Sequence, residues 1–316
     1  MDKDTIKRLI IEYQQFVANI TLIEREIHLS HQLNYVFVGL RRAGKSYLMY
    51  QQIQSLLNDG HQPEEILYFN FEDDRLVNLT VEDLDLIKVS YEELYPHKPI
   101  FFLDEIQIVE HWEKFARRLA DQQYRVYITG SNAKMLSAEI ATTLGGRYIV
   151  QNVYPFSFSE FLKASKIEIG PTWYYKNRTE IVRTFSDYFS YGGLPELMLI
   201  ETIEKRQWLS NLFNKIFFGD LITRYSIRND LAMKVLIRKL AESVKQPSSF
   251  NRLTNIVSTT GAKVSTDTII DYLNFLQATW LFFSLENYAS KLVEKISNRK
   301  YYFIDNGLLN LSLIHI

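Results

Sequence analysis

The 316-residue sequence contains no cysteine. That excludes a disulfide framework, a thiolate metal site and a cysteine nucleophile, and it agrees with a reducing compartment. No stretch approaches the ~20 consecutive apolar residues that a bilayer-spanning helix needs. The start, Met1-Asp-Lys-Asp-Thr-Ile-Lys-Arg8, also lacks the apolar segment of a secretory signal, so a cytoplasmic location without a membrane partner is expected. An excess of one charge is missing as well: 36 Lys and Arg stand against 37 Asp and Glu, for a net charge of −1. No global field therefore draws the chain to nucleic acid, and any such contact needs a local patch. Histidines number six, and the only close pair, His28 and His31, has no neighbouring carboxylate or cysteine at metal-ligand spacing. That pair reads as helix surface.

What is present is the composition of a folded protein, 47% hydrophobic and 23% charged, in a chain long enough for two domains. Ile6, Leu9, Ile10, Tyr13 and Phe16 recur at helical spacing, so the chain opens on an amphipathic helix. Short, strongly apolar runs follow at Tyr35–Val38, Ile66–Phe71, Ile100–Leu103 and Val126–Ile128, with a fifth at Tyr148–Val150. Such runs suit strands buried on both faces, and the helical patterns at about 45–58 and 110–121 are long enough for crossovers. The reading is α/β with a mainly parallel sheet. After Pro155 the character shifts to aromatic-rich helical sequence, with a turn at Gly192-Gly193-Leu-Pro195 and further helix over 203–245. From Ser248 onward the order is helix, turn at Thr259-Thr-Gly261, helix from an N-cap at Ser265, then strands at Leu281–Phe283 and Tyr301–Ile304, which is the order of a winged helix-turn-helix. The expected segments are 1–160, 161–245 and 246–316.

The chemistry concentrates in the first segment. Gly39-Leu40-Arg41-Arg42-Ala43-Gly44-Lys45-Ser46, followed by Tyr47, lies directly after an apolar strand and directly before a periodic helix. That context turns backbone N–H groups onto a polyphosphate. Gly39 and Gly44 let the loop bend without a Cβ in the way, Lys45 reaches the β- and γ-phosphates, and the Ser46 hydroxyl is a candidate Mg ligand. Nucleotide binding is therefore expected over Gly39–Tyr47, with ATP and Mg as cofactors. A second apolar strand ends in Asp104-Glu105, where the carboxyl edge of a parallel sheet binds ligands. Asp104 is the expected second Mg ligand and Glu105 the group that polarises an attacking water. The acid beside the Mg-binding Asp favours water over a substrate hydroxyl as acceptor. Val126-Tyr-Ile-Thr-Gly-Ser131-Asn132 ends a further strand in small polar residues; Asn132 or Ser131 is a candidate γ-phosphate sensor, with a plain polar turn as the alternative. Arg147, after Gly145-Gly146, is a candidate arginine finger acting in its own or a neighbouring subunit, with a solvated turn residue as the alternative. The acidic run Glu72-Asp73-Asp74 reads as a solvated strand end.

Taken together, Gly39–Ser46, Leu103-Asp-Glu-Ile-Gln107 with Trp112, Ile128–Asn132, Gly146-Arg147 and Pro155-Phe-Ser-Phe-Ser-Glu-Phe161 resemble the prokaryotic AAA-superfamily ATPases that pair an ATPase core with a C-terminal domain of unknown function. The resemblance continues through Tyr191-Gly-Gly-Leu-Pro195, Asp220-Leu-Ile-Thr-Arg-Tyr225, Val264–Thr268 and Tyr302-Phe-Ile-Asp-Asn-Gly-Leu308, so it covers nearly the whole chain. It implies ATP binding with hydrolysis and a winged-helix element, without naming a task. Family members resembling this chain continue past the last motif into a restriction-endonuclease-like segment. Here the sequence stops within about ten residues of that motif, on Leu311-Ser-Leu-Ile-His-Ile316, which resembles translated linker, so a fragment lacking a further domain is expected and no nuclease activity is assigned.

The winged helix is poorly equipped for DNA. Its second helix, Ser265–Leu276, carries Asp267 and Asp271 and neither Lys nor Arg, which repels phosphates and removes the usual guanine reader. Lys291, Lys295, Arg299 and Lys300 in the hairpin leave a backbone contact open, but a structural or protein-contact role is favoured. The leading expectation is an ATP-hydrolysing motor or switch coupled to the winged helix, working as a homo-oligomer or on a protein partner. The alternatives are a module that uses ATP as a structural state with little turnover, and a DNA-binding regulator or defence component.

Overall fold

The computed structural model describes residues 2–76, 79–130, 142–244, 246–261, 263–286, 288 and 298–315. Ser131, Asn132, Lys291 and Lys295 lie outside the described residues. The chain divides into two compact units. The first comprises Met1–Gly39 with Gly44–Val153, and the second Leu40–Ala43 with Tyr154–Ile316.

In the first unit, α1 (Lys3–Asn19) begins at Asp2, whose carboxylate accepts the Thr5 N–H at 2.8 Å, and it buries Ile6, Leu9, Ile10 and Val17. Five strands follow: β1 (Asn34–Val38), β2 (Ile66–Asn70), β3 (Ile100–Asp104), β4 (Arg125–Gly130) and β5 (Tyr148–Asn152). They form one sheet in the order β2-β3-β4-β1-β5, every pairing parallel. Parallel strands of this kind bury both faces, which is why Tyr35–Val38, Ile66–Phe69 and Ile100–Leu103 read as unbroken apolar runs rather than alternations. The connecting helices include α2 (Lys45–Asn58), α3 (Val81–Leu94) and α4 (Trp112–Asp121). The first and last match the expected crossovers. Helix α3 carries a start signal that periodicity alone passed over, a reciprocal cap between Thr80 and Asp83.

The aromatics of the sheet are core. Phe102 and Tyr127 stand in register on β3 and β4 and stack with ring centroids 4.5 Å apart, and Tyr127 stacks in turn on Tyr35, its register partner on β1.

The second unit contains helices Phe158–Ala164, Arg178–Tyr191 and Thr202–Asn214, the last continuing into a π-helical turn over Lys215–Thr223, and then helix Asp230–Glu242. Beyond them come β6 (Ser248–Ser249), helices Phe250–Thr259 and Thr266–Ala278, β7 (Phe282–Leu285), β8 (Asn298–Phe303) and helix Asn306–His315. The three strands pair antiparallel in the order β6-β8-β7. One apolar cluster runs through most of the unit, from Leu212 and Phe217 through Leu236, Leu253 and Leu273 to Phe303 and Leu308, with a smaller one at Leu162, Ile167 and Ile181. Packing is thus continuous across position 245, where the sequence suggested a division. Among the described residues, no helix is long and apolar enough to cross a membrane.

Candidate functional site

The loop after β1 is forced into shape at its two glycines. A Cβ on Gly39 would stand 2.1 Å from the carbonyl oxygen of Val153, whose own N–H is fixed to the Val38 carbonyl at 2.8 Å. Only glycine fits there. Gly44 has φ of 95° and opens α2 without any side-chain cap, which leaves the N–H groups of the first helical turn as the donors a phosphate would meet. Lys45, 5% exposed, turns back over the loop, donating from Nζ to the Gly39 carbonyl at 3.3 Å and lying 3.9 Å from Oε1 of Glu105.

Asp104 ends β3 at the same, carboxyl edge of the sheet and is 2% exposed. The Tyr68 hydroxyl donates to its Oδ2 at 2.7 Å, the Thr129 hydroxyl donates to its Oδ1, and the Ser46 side chain is also hydrogen-bonded to it. Burial pushes the Asp104 carboxyl above its ordinary pKa, the three hydrogen bonds oppose that shift, and the neighbouring Glu105 charge adds to it. Glu105 has a left-handed backbone, φ 55°, and its N–H donates to Thr129 Oγ1 at 2.8 Å. Its carboxylate accepts a hydrogen bond from the Gln107 side-chain amide.

The donor set suits Mg. A serine hydroxyl and a carboxylate are hard oxygen ligands, and Mg is commonly held by one carboxylate while its other positions go to water and phosphate. The Ser46 side chain stands close enough to Asp104 to favour its charged form, so the two would hold the ion, which when bound would neutralise phosphate charge and reverse the upward push on Asp104.

The four inner residues of the loop belong to the second unit. Leu40 and Ala43 sit in its apolar core, and Arg41 makes a paired hydrogen bond to the buried Asp220, Nε to Oδ2 at 2.6 Å and Nη2 to Oδ1 at 3.1 Å. Arg224 shares that carboxylate at 2.7 Å. Arg42, at φ 62°, pairs with Glu196 and lies over the Trp208 ring at 5.3 Å. These arginine side chains are engaged in structure. Tyr47 is half exposed on α2 with its ring against Tyr50.

Arg147 is not brought to this cluster. Its residue precedes β5, next to Asn34 at the amino end of β1, and its guanidinium is held by Asp121 at 2.5 Å and by the Leu144 and Gly145 carbonyls at 3.4 Å. In a parallel sheet that is the end opposite the loop. In the Glu72–Asp74 run the outer two residues are exposed, while Asp73 binds Arg75 and the Tyr13 hydroxyl, and the Arg75 bonds hold its carboxyl well below the usual range.

Sequence reasoning missed Tyr68, Thr129 and Gln107 as members of the site. A tyrosine and a threonine in otherwise apolar strands, at the ends nearest the loop, were the available signals.

Residues 31–162 match a family described as AAA domain, and residues 182–315 match a domain of unknown function, DUF8612. The chain is 33% identical to the uncharacterized protein MJ1544 of Methanocaldococcus jannaschii, over 98% of its own length and 69% of the relative's. It is 32% identical to an uncharacterized protein of Haemophilus influenzae, over 91% of the chain and 72% of the relative. The chain belongs to the family of these two relatives, and its residues 31–162 form an AAA domain. Its fold is also that of the Walker-type ATPase PABY2304 of Pyrococcus abyssi, with a TM-score of 0.53 at 11% identity, covering 99% of this chain and 96% of the other. The five-stranded parallel sheet flanked by helices thus resembles that of P-loop ATPases.

Proposed function

We propose that the chain binds ATP with Mg at Gly39–Tyr47 and hydrolyses it. The observation that carries this reading is the convergence of the buried Lys45, the Ser46–Asp104 contact and Glu105 at one end of the sheet. The loop backbone and the first turn of α2 would cradle the phosphates, and Lys45 would leave the Gly39 carbonyl for the β/γ-phosphate oxygens. Ser46 and Asp104 would hold the Mg ion. Glu105 would take a proton from the attacking water as its oxygen bonds to the γ-phosphorus and the bond to the bridging β–γ oxygen breaks, leaving ADP and phosphate. Asn132 is assigned to sensing the γ-phosphate. Arg147 is assigned to a neighbouring copy's nucleotide, because its position at the opposite end of the sheet favours action across a subunit contact over action in its own site.

The order of helix, short strand, two helices and antiparallel hairpin, with β8 between β6 and β7, supports a winged helix in the second unit. Its second helix carries Asp267 and Asp271, and Arg299 of β8 is paired with Glu286 at 3.0 Å. That favours a protein partner over DNA for the output of an ATP-driven switch in the cytoplasm.

Phosphate release in Mg and ATP, compared between the parent and Glu105→Gln, tests the reading. The variant is expected to bind ATP and lose most turnover, because the amide keeps the shape and loses the proton acceptor. Equal release by both would favour the module that uses ATP as a structural state.

A further inference from the structure

Gln107 is placed to do more than complete a turn. It lies in the short 3₁₀ turn Ile106–Ile108 that follows Glu105, and its side-chain Nε2 donates to Oε2 of Glu105. Because a carboxylate only accepts, this bond fixes which way the amide points: the nitrogen faces Glu105, and the oxygen faces away from it. That oxygen, Oε1, is buried and has no hydrogen-bond partner among the described residues. A buried carbonyl oxygen is costly to leave unpaired, so an acceptor unmatched by the described residues is open to a donor such as a bound water.

The two ends of the amide together define that donor. The amide oxygen and nitrogen are ~2.2 Å apart by covalent geometry, so a molecule bound to the Glu105 carboxylate lies within reach of Oε1. It must be small, and it must donate two hydrogen bonds, one to a carboxylate and one to an amide oxygen. Water meets both requirements. The backbone around the pair is also committed: Glu105 is held in a left-handed conformation at φ 55°, and its N–H is tied to Thr129 Oγ1.

The geometry points to Gln107 as a positioning residue for the nucleophilic water. Its Nε2 orients the Glu105 carboxylate, and its Oε1 accepts the hydrogen of the water that is not transferred. During attack one water proton passes to Glu105, the oxygen lone pair forms the bond to the γ-phosphorus, and the second hydrogen stays on the oxygen, directed at Gln107. Fixing both hydrogens removes rotational freedom that a lone carboxylate leaves to the water. The inference rests on the hydrolysis reading above.

Gln107→Met keeps length and volume and removes both hydrogen-bonding groups. Turnover is expected to fall about tenfold to a hundredfold, within the range by which acid–base groups contribute. KM for ATP and the affinity for a non-hydrolysable ATP analogue are expected to stay within about twofold, since neither end of the amide meets the nucleotide. Gln107→Glu, a polar change at a partly exposed position, is the second variant; it keeps an acceptor but sets a second carboxylate against Glu105, and the same split of kcat from KM is expected. Parent-like kcat in either folded variant overturns the inference, as does a loss of analogue affinity that matches the loss of rate. If the parent itself releases no more phosphate than Lys45→Ala, the hydrolysis reading has failed instead, and the two failures are told apart by that control.

Discussion

The buried carboxylate of Asp305 accepts the backbone N–H of Gly193 at 2.8 Å, across more than a hundred residues of sequence. Its other oxygen accepts from Gly307 at 2.9 Å and Leu308 at 3.3 Å, starting the last helix. A Cβ on Gly192 would stand 2.1 Å from Asp305 Oδ1, which explains why that turn is Gly-Gly. Two motifs that carried the family resemblance without a task are therefore one structural joint in the second unit. Burial pushes the Asp305 carboxyl up to about 6, against the pull of the three N–H donors.

Asp305 should leave a signature in the pH dependence of stability. Its folded pKa lies above its ordinary unfolded value near 4, so unfolding releases a proton between the two. Its contribution is full below about pH 4 and is lost as pH rises through about 6, on the order of 3 kcal/mol in total. Asp305→Asn removes that titration. The difference in thermal midpoint between parent and variant should therefore be larger at pH 4 than at pH 6.5. A difference that stays constant, or grows with pH, would show that the N–H donors dominate.

Thr129 is predicted to matter to stability and rate together. Its hydroxyl donates to Asp104 and accepts the Glu105 N–H, so Thr129→Val takes the acceptor from a part-buried N–H and removes one donor from the buried carboxylate. A loss of about 1–3 kcal/mol is expected in denaturant unfolding, with reduced phosphate release. An unchanged unfolding midpoint would mean that Glu105 finds another acceptor.

Much of the first unit was legible because parallel strands buried on both faces read as short apolar runs, and because loop glycines sit where only glycine fits. Gly39 illustrates it: the motif marked the residue, and the Val153 carbonyl supplies the reason. The neighbours of Asp104 were not legible. Tyr68 and Thr129 come from β2 and β4, and only strand order sets them beside β3. Nor were the partners of Arg41 and Arg42 legible: the sequence marked them only as part of the loop, and Asp220 and Glu196, from distant sequence, take their charges. The final helix, Asn306–His315, was missed because its starting cap, Asp305, was read only as part of a motif.

The assignment of Arg147 to a neighbour predicts concentration-dependent turnover. An arginine supplied in trans contributes ~10³ or more in rate, because it neutralises charge that develops in the transition state. Specific activity should rise steeply over the range in which the protein associates. Mixing Arg147→Ala with Lys45→Ala subunits should restore part of the activity. Flat specific activity through that range, with no restoration on mixing, would return Arg147 to its observed role, a turn residue held by Asp121.

The central claim is that Lys45, folded over the loop against the Gly39 carbonyl and beside Glu105, is the cation that meets the nucleotide's phosphates. Calorimetric titration of ATP in Mg into the parent and into folded Lys45→Ala tests it most directly. The account predicts saturable binding by the parent and loss of most or all of it in the variant. Equal affinity in the two proteins would contradict it.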